Sequence, residues 1–179
     1  MRMKEREKYT DHTVSLIVNN KPGVMSKISG LITRRGFNVE SMTVGKTNEK
    51  GMARMTIVVK GDDRSLEQIQ KQLFKIVDVI RVSEIKLEDR VAREMALIKI
   101  KLTKDDQDEL LFSTNNILQL INIYKAEIVD TSPGGIIVEI TGSVEKIDGF
   151  INLLPEKLIV GIARTGIAAM NKLSTPVTG

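Results

Sequence analysis

The sequence predicts an α+β protein that consists of two βαββαβ units. Hydrophobic residues recur at every second position in some segments and at the 3.6-residue helical period in others, and the two periods alternate along the chain. The resulting order of strands and helices is the same in both halves, and 179 residues suit two small domains. Each half should therefore form a four-stranded antiparallel sheet with both helices on one face, which is the ferredoxin-like fold.

The first half contains four predicted strands and two predicted helices. The strands run from His12 to Val18, from Phe37 to Val44, through the alternating residues Ala53, Met55, Ile57 and Val59, and from Val79 to Leu87. The first helix carries Val24, Ile28, Leu31 and Ile32 and ends at Gly36, and the second carries Leu66, Ile69, Leu73 and Phe74 on one face. A hairpin loop at 48–51 joins the second and third strands.

The second half repeats this order without obvious sequence identity. Its strands are predicted from Met95 to Leu102, Tyr124 to Thr131, Ile136 to Thr141 and Ile159 to Thr165. Its first helix begins at Lys104, Asp105 and Asp106 and carries Leu110, Leu111, Ile117, Leu118 and Ile121, and its second carries Ile147, Phe150, Ile151 and Leu154 before Pro155. The turn Ser132-Pro133-Gly134-Gly135 joins the two middle strands as a hairpin.

The predicted boundaries are a charged leader at 1–11, a first domain at 12–87, a linker at 88–93, a second domain at 94–170 and a tail at 171–179. One face of each sheet lacks helices. An edge strand, such as the one beginning at His12, leaves backbone groups unpaired. We therefore expect the chain to form at least a dimer.

A short turn that contains Asn20, Pro22 and Gly23 joins the first strand to the first helix. Pro22 fits the first helical turn, where a missing N–H is harmless, and Gly23 has no Cβ to hold a ligand away from the backbone. Because a helix N-terminus carries partial positive charge, free amides here can bind a small carboxylate without a basic side chain or a metal ion. Helix capping alone also explains these residues.

The residues from Asn20 to Val44 form a distinctive pattern, N-x-x-G-V-M-S-K-I-x-G-L-I-x-R-R-G-F-N-V-E-S-M-T-V. This pattern resembles the N-terminal ACT domain of the small, regulatory subunit of acetolactate synthase, also called acetohydroxyacid synthase. Later segments resemble the same family in the same order, at 78–82, at 91–94 followed by 97–100, and at 160–166. The resemblance covers all of the chain except 1–11 and the residues after Asn171.

The resemblance implies a non-catalytic partner of the large, catalytic subunit in branched-chain amino acid biosynthesis. Such a chain raises the activity of the catalytic subunit and confers feedback inhibition by valine or a related amino acid. The thiamine diphosphate, magnesium and FAD would belong to the catalytic subunit, with no cofactor on this chain. A homodimer also agrees with the resemblance, since ACT domains usually assemble in this way. The lack of cysteine, of a signal peptide and of a membrane-spanning run favours a cytoplasmic location.

The effector site that the resemblance implies consists of Asn20, Gly23, Val24, Met25 and Asn38, with Asn38 reaching the ligand from the neighbouring subunit. Loop amides would hold the carboxylate, and the Asn38 amide oxygen or a main-chain carbonyl would accept from the ammonium. Val24 and Met25 would help to line the side-chain slot. Met25 stands where leucine is usual in the family. The alternative for Asn38 is an ordinary residue after the end of the helix.

Composition and motifs point away from catalysis, and no catalytic or metal-binding residues are predicted. The chain has no cysteine and lacks the motifs of zinc proteases and serine hydrolases. The only histidine, His12, lies at the start of the first strand, where we expect a solvated or capping role. The acidic residues at 105–109 precede a helix, where they suit the helix dipole better than calcium.

Nucleic acids and membranes are also poor candidates for partners. The net charge is +4, but basic and acidic residues are interleaved, and no apolar run is long enough to span a membrane. RNA-recognition modules share the βαββαβ order but stack bases on aromatic residues of central strands, and the segments 14–17 and 52–58 contain none. A free-standing ACT-type amino-acid sensor of another enzyme and a structural assembly protein remain as alternatives.

Overall fold

The computed structural model describes residues 10–102 and 114–173. The strands in these ranges are β1 (Thr10–Asn19), β2 (Asn38–Lys46), β3 (Met52–Gly61), β4 (Val79–Ile85), β5 (Arg90–Lys101), β6 (Glu127–Ser132), β7 (Gly135–Gly142), β8 (Ile159–Arg164) and β9 (Ala168–Asn171). The α-helices are α1 (Val24–Arg34), α2 (Asp63–Leu73), α3 (Thr114–Tyr124) and α4 (Val144–Leu153), and short 3₁₀ turns lie at Leu87–Asp89 and Glu156–Leu158. The predicted start of the third helix, with Asp105 and Asp106, lies outside the described residues.

The first unit is a four-stranded antiparallel sheet in the order β2-β3-β1-β4, with α1 and α2 packed on one face. Alternate residues of the two central strands meet the apolar stripes of the helices, because strand side chains point to the two faces in turn. The buried core contains Val14, Leu16, Val18, Met55 and Ile57 from the strands and Ile28, Ile32, Leu66, Ile69 and Leu73 from the helices.

The second unit repeats the arrangement, with the strand order β6-β7-β5-β8. Its core combines Ala96, Ile98, Ile100, Val138 and Ile140 from the sheet with Ile117, Ile121, Ile147 and Phe150 from the helices. The rings of Tyr124 and Phe150 meet edge to face, with centroids 5.5 Å apart. The predicted α+β class and the two ferredoxin-like units are confirmed.

A partly buried ion pair joins the first and last strands of the second unit. The guanidinium of Arg164 in β8 donates from Nε and Nη2 to the two carboxylate oxygens of Glu94 in β5, at 3.0 and 2.6 Å. Its Nη1 donates to Asp148 Oδ1 at 2.6 Å. The Glu94 side chain is 5% exposed. The hydrogen bond that Arg164 donates to Glu94 raises the pKa of the guanidinium above its ordinary value.

The division of the chain differs from the predicted boundaries. Described residues 10–92 and 167–173 form one compact unit, and described residues from 93 to 166 form the other. The predicted linker at 88–93 is the end of a 3₁₀ turn followed by the first residues of β5. The unpredicted strand β9 belongs to the first unit and pairs with β5, and Lys172 N donates to Asp89 O at 2.7 Å. These interactions pair segments about 80 residues apart, which local periodicity does not reveal.

Three local predictions for the first unit are wrong, one about the strand order and two about where elements end. The strand that contains His12 is central, since β1 lies between β3 and β4, and the edges are β2 and β4. Phe74 is largely exposed because α2 ends at Leu73 and Phe74 is its C-cap. Leu87 belongs to a 3₁₀ turn, because β4 ends at Ile85.

His12 is buried rather than solvated, with 8% of its surface exposed. It lies inside β1 opposite Val59, on the same face of the sheet as Val14. Its Nδ1 lies 3.3 Å from Glu84 Oε1, and its Nε2 lies 3.2 Å from Gly61 O. The imidazole therefore joins β1 to both neighbouring strands and has a structural role.

Candidate functional site

The turn between β1 and α1 depends on a left-handed backbone at Gly23. Gly23 has φ +85° and occupies the N-cap position of α1. A residue with a side chain is strained at this φ, and glycine is not. Pro22 consequently lies before the cap and not in the first helical turn as predicted, because the helical conformation begins only at Val24.

Three hydrogen bonds fix this turn to the rest of the first unit. Asn19 N donates to Asp78 O at 2.8 Å, and Asn20 N donates to Gly51 O at 2.8 Å. Lys27 Nζ, in the first turns of α1, donates to Asp78 Oδ2 at 2.8 Å. The hydrogen bond from Lys27 is the largest cause that lowers the pKa of the Asp78 carboxyl. Asp78 thus holds both sides of the turn in place.

The amides available to a ligand are fewer than the sequence predicts. Those of Asn20 and Lys21 already donate to backbone carbonyls. Among the described residues, no acceptor is found for the amides of Gly23, Met25 and Ser26 at the start of α1. These three N–H groups lie at the N-terminus of α1, which is the positive end of the helix dipole.

The start of α1 differs in this respect from the starts of two other helices. In α2 the Asp62 side chain accepts from Ser65 N at 2.9 Å, and in α4 the Ser143 side chain accepts from Lys146 N at 3.3 Å. The N-cap of α1 is a glycine without a side chain, and the first turn of α1 contains no acidic residue. Such a helix start can accept an anion from outside the chain.

The side chains of the predicted site lie in different environments. Asn20 is exposed, and Met25 is 47% exposed beside the free amides. Val24 is only 3% exposed and belongs to the core. Val24 therefore offers no side chain to line a slot, because the helical stripe that begins with it faces the sheet.

Asn38 lies at the opposite end of the sheet from the turn. In the strand register Asn19 pairs with Met52, whereas Asn38 pairs with Lys60. The eight residues from Met52 to Lys60 along β3 correspond to about 26 Å. The fold of one chain thus brings Asn20, Gly23, Val24 and Met25 together but leaves Asn38 far away. The amide of Asn38 donates from Nδ2 to Glu40 Oε1 at 2.9 Å.

The described residues contain no group of three or more His, Asp or Glu side chains that could hold a metal ion. None of the helices in the described ranges combines the length and hydrophobicity that crossing a membrane requires. The resolved pKa shifts of Lys60, Glu67, Asp78 and Arg164 all arise chiefly from hydrogen bonds within ion pairs. Sequence reasoning missed Asp78 and Gly51 as supports of the turn, because neither contact is local.

Comparison with known proteins identifies the family of both units. Residues 14–81 match the family model described as "AHAS small subunit-like ACT domain", and residues 93–173 match "Small subunit of acetolactate synthase". The chain belongs to the family of acetolactate synthase small subunits. Its first unit is accordingly an ACT domain. The resemblance seen in the sequence is confirmed.

Individual relatives of this small-subunit family match over nearly their full lengths. A crystal structure of the acetolactate synthase small subunit from Thermotoga maritima is 48% identical, with a TM-score of 0.83, over 93% of this chain and 99% of that one. The "Probable acetolactate synthase small subunit" of Methanothermobacter thermautotrophicus is 45% identical over 90% of this chain and 92% of its own length. The acetolactate synthase small subunit of Mycolicibacterium smegmatis is 38% identical over 90% of this chain and 91% of its own.

Proposed function

We propose that this chain is the non-catalytic regulatory subunit of acetolactate synthase. It binds the catalytic subunit, raises its activity and confers feedback inhibition by valine or a related branched-chain amino acid. The observation that carries the effector-binding part is the uncapped start of α1, where Gly23, Met25 and Ser26 offer free amides. Family membership supports the identity of the partner. The thiamine diphosphate, magnesium and FAD belong to the catalytic subunit, and the complex works in the cytoplasm.

The α-amino acid binds with its carboxylate on these amides and the α1 dipole. Met25, the exposed side chain beside the amides, contacts the aliphatic part of the effector. The ammonium of the effector needs a hydrogen-bond acceptor on the side of the ligand that faces away from the α1 amides, and the amide oxygen of Asn38 can be this acceptor. Since Asn38 is about 26 Å from the turn along the sheet of its own chain, the acceptor comes from a second copy.

A dimer through the edge strand β2 provides this arrangement. In the β2–β3 register Asn38 pairs with Lys60 at one end, and Lys46 pairs with Ala53 at the other end, next to Met52 and Asn19. Antiparallel pairing of two β2 strands would place the Asn38 of each copy at the Lys46 end of the other. Each turn would then face a neighbouring Asn38, so that the dimer would contain two equivalent sites.

The first test is an assay of acetolactate formation from pyruvate. We expect no turnover by the purified chain and a clear rise in rate when it is added to its cognate catalytic subunit. Valine, leucine and isoleucine are then titrated into the complex, and we expect valine to lower the rate. Valine binding without any effect on a confirmed cognate subunit would instead identify a free-standing amino-acid sensor, and turnover by the chain alone would refute a non-catalytic role.

Hybrid dimers test whether the site lies between two chains. One chain carries Gly23→Asp and the other Asn38→Ala, with different affinity tags so that only hybrids are purified. A shared site predicts that each homodimeric variant binds valine much more weakly than the wild type, whereas the hybrid regains one site of wild-type affinity from the unaltered turn of one chain and the unaltered Asn38 of the other. Calorimetric stoichiometry measures this recovery. Folded hybrids that bind no valine would place both groups in the same chain.

A further inference from the structure

We propose that Glu40 is a positioning residue of the effector site, which holds the Asn38 amide so that its carbonyl oxygen, and not its NH₂ group, is presented to the ammonium of the effector. This inference rests on the proposed function. It adds a residue with a defined task to the site.

Glu40 owes its position to an irregularity in the edge strand β2. The register between β2 and β3 shifts between Val39 and Ser41, so that Glu40 is the extra residue of a β-bulge. A bulge changes the direction in which the side chain of the extra residue points. Here the carboxylate reaches back along its own strand to Asn38, two residues earlier, with 2.9 Å between Asn38 Nδ2 and Glu40 Oε1.

The Glu40 carboxylate is itself held from the neighbouring strand. Lys60, which pairs with Asn38 in the register, donates from Nζ to the same oxygen of Glu40 at 3.1 Å. The hydrogen bond with Glu40 is the largest of the causes that raise the pKa of Lys60. The three side chains thus form a chain of hydrogen bonds at the end of the sheet where β2 begins.

The orientation of the Asn38 amide follows from the chemistry of its partner. An ionised carboxylate only accepts hydrogen bonds, so the amide must turn its NH₂ group towards Glu40. Its Oδ1, at the other end of the planar amide, then points away from Glu40 and is available as an acceptor. An ammonium group only donates and therefore requires such an acceptor. Without Glu40, the amide could rotate and present its NH₂ group, which an ammonium cannot use.

The contribution of Glu40 should be visible in binding rather than in folding. Glu40 and Lys60 are both exposed in the single chain, and exposed pairs of this kind add little to stability. If a second copy and the effector cover Asn38, its orientation decides whether a buried ammonium has a partner or lacks one. A substitution of Glu40 should then weaken effector binding only when Asn38 is present.

The test uses the full-length dimer and Glu40→Gln, which keeps the size of the side chain but lets it present either an oxygen or an NH₂ group to Asn38. Glu67→Gln is the matched control, since Glu67 forms a comparable exposed pair with Lys71 on α2. We expect Glu40→Gln to weaken valine binding by calorimetry about three- to tenfold, the range of one net hydrogen bond. Glu67→Gln should leave valine binding unchanged. On an Asn38→Ala background, Glu40→Gln should cause no further weakening.

A second readout is independent of the effector. The side-chain NH₂ signals of Asn38 in a ¹⁵N-correlated NMR spectrum, assigned by their loss in Asn38→Ala, should shift in Glu40→Gln and not in Glu67→Gln. Unshifted signals would overturn the proposed orientation. Equal weakening by Glu40→Gln with and without Asn38 would show that Glu40 acts by another route and overturn the proposal. A wild-type dimer that binds no branched-chain amino acid, with the NMR shift present, would instead refute the proposed function on which this role depends.

Discussion

Gly23→Asp is expected to abolish feedback inhibition while the protein stays folded and still activates the catalytic subunit. The new carboxylate would lie beside the free amides of Gly23, Met25 and Ser26. There it would compete for their hydrogen bonds and repel the carboxylate of the effector. Two like charges about 4 Å apart in a partly buried site repel each other by about 4 kcal/mol. Affinity for valine should therefore fall by about a hundredfold or more.

The surroundings of Gly23 allow this effect to be separated from misfolding. A Cβ at Gly23 would meet no heavy atom within 4 Å, so a side chain causes no clash, and the remaining penalty is the positive φ of 85°. Asp and Asn tolerate this conformation better than most residues. Gly23→Asn is the matched control, because it has the same shape and backbone strain without the charge. We expect it to melt at the same temperature as Gly23→Asp and to bind valine much better.

Valine titrations and thermal melting of both variants decide the outcome. A folded, dimeric and activating Gly23→Asp protein with unchanged valine affinity would remove this turn from the effector site. If Gly23→Asn lost valine binding as completely as Gly23→Asp, backbone strain and not charge would be the cause.

Arg164→Ala is expected to destabilise the second unit by about 1–3 kcal/mol, the usual cost of leaving a buried acceptor such as the Glu94 carboxylate without its hydrogen bonds. Glu94 is 5% exposed and receives two hydrogen bonds from the guanidinium. Without Arg164 its carboxylate remains buried without this compensation. The first unit lacks these residues, and its stability should change much less.

Tyrosine fluorescence can follow the second unit by itself. The chain has two tyrosines and no tryptophan. In a Tyr9→Phe background the only tyrosine left as a fluorescent reporter is therefore Tyr124, which packs against the core of the second unit. Urea unfolding of this background with and without Arg164→Ala measures the loss. Asp148→Asn, which removes only the exposed contact of Arg164, should cost less than about 1 kcal/mol. Replacing Glu94 and Arg164 together by leucine and methionine should restore much of the stability. Equal losses for Arg164→Ala and Asp148→Asn would contradict a special role of the buried pair.

The sequence predicted those features that depend on local spacing. The alternation of Ala53, Met55, Ile57 and Val59 correctly identified a buried face, and all four residues are buried in β3. The pattern could not show that β1 is a central strand, because strand order arises from pairing between distant segments. Phe74 continued the apolar stripe of α2 by one residue, but it lies just beyond the end of the helix and is largely exposed.

The candidate site was predictable only in part, for the same reason. The residue types at Asn20 to Met25 indicated a backbone turn before a helix, and Gly23 has the required left-handed conformation. Which amides remain free was not predictable, because Asn20 N is occupied by Gly51 O from another loop. Burial of Val24 and the partnership of Asn38 with Glu40 likewise depend on the sheet and on the bulge in β2.

The position of β9 has a consequence for the order in which the chain can fold during synthesis. The first unit is not contiguous, since it combines residues before 93 with residues after 166, and the second unit is in effect an insertion. A ribosome releases β1 to β4 early, but the first unit gains β9 only after the entire second unit has been synthesised. The nascent first unit therefore lacks the segment that contacts β1 and β4 until the second unit has been made, and this surface is exposed to premature association during that time.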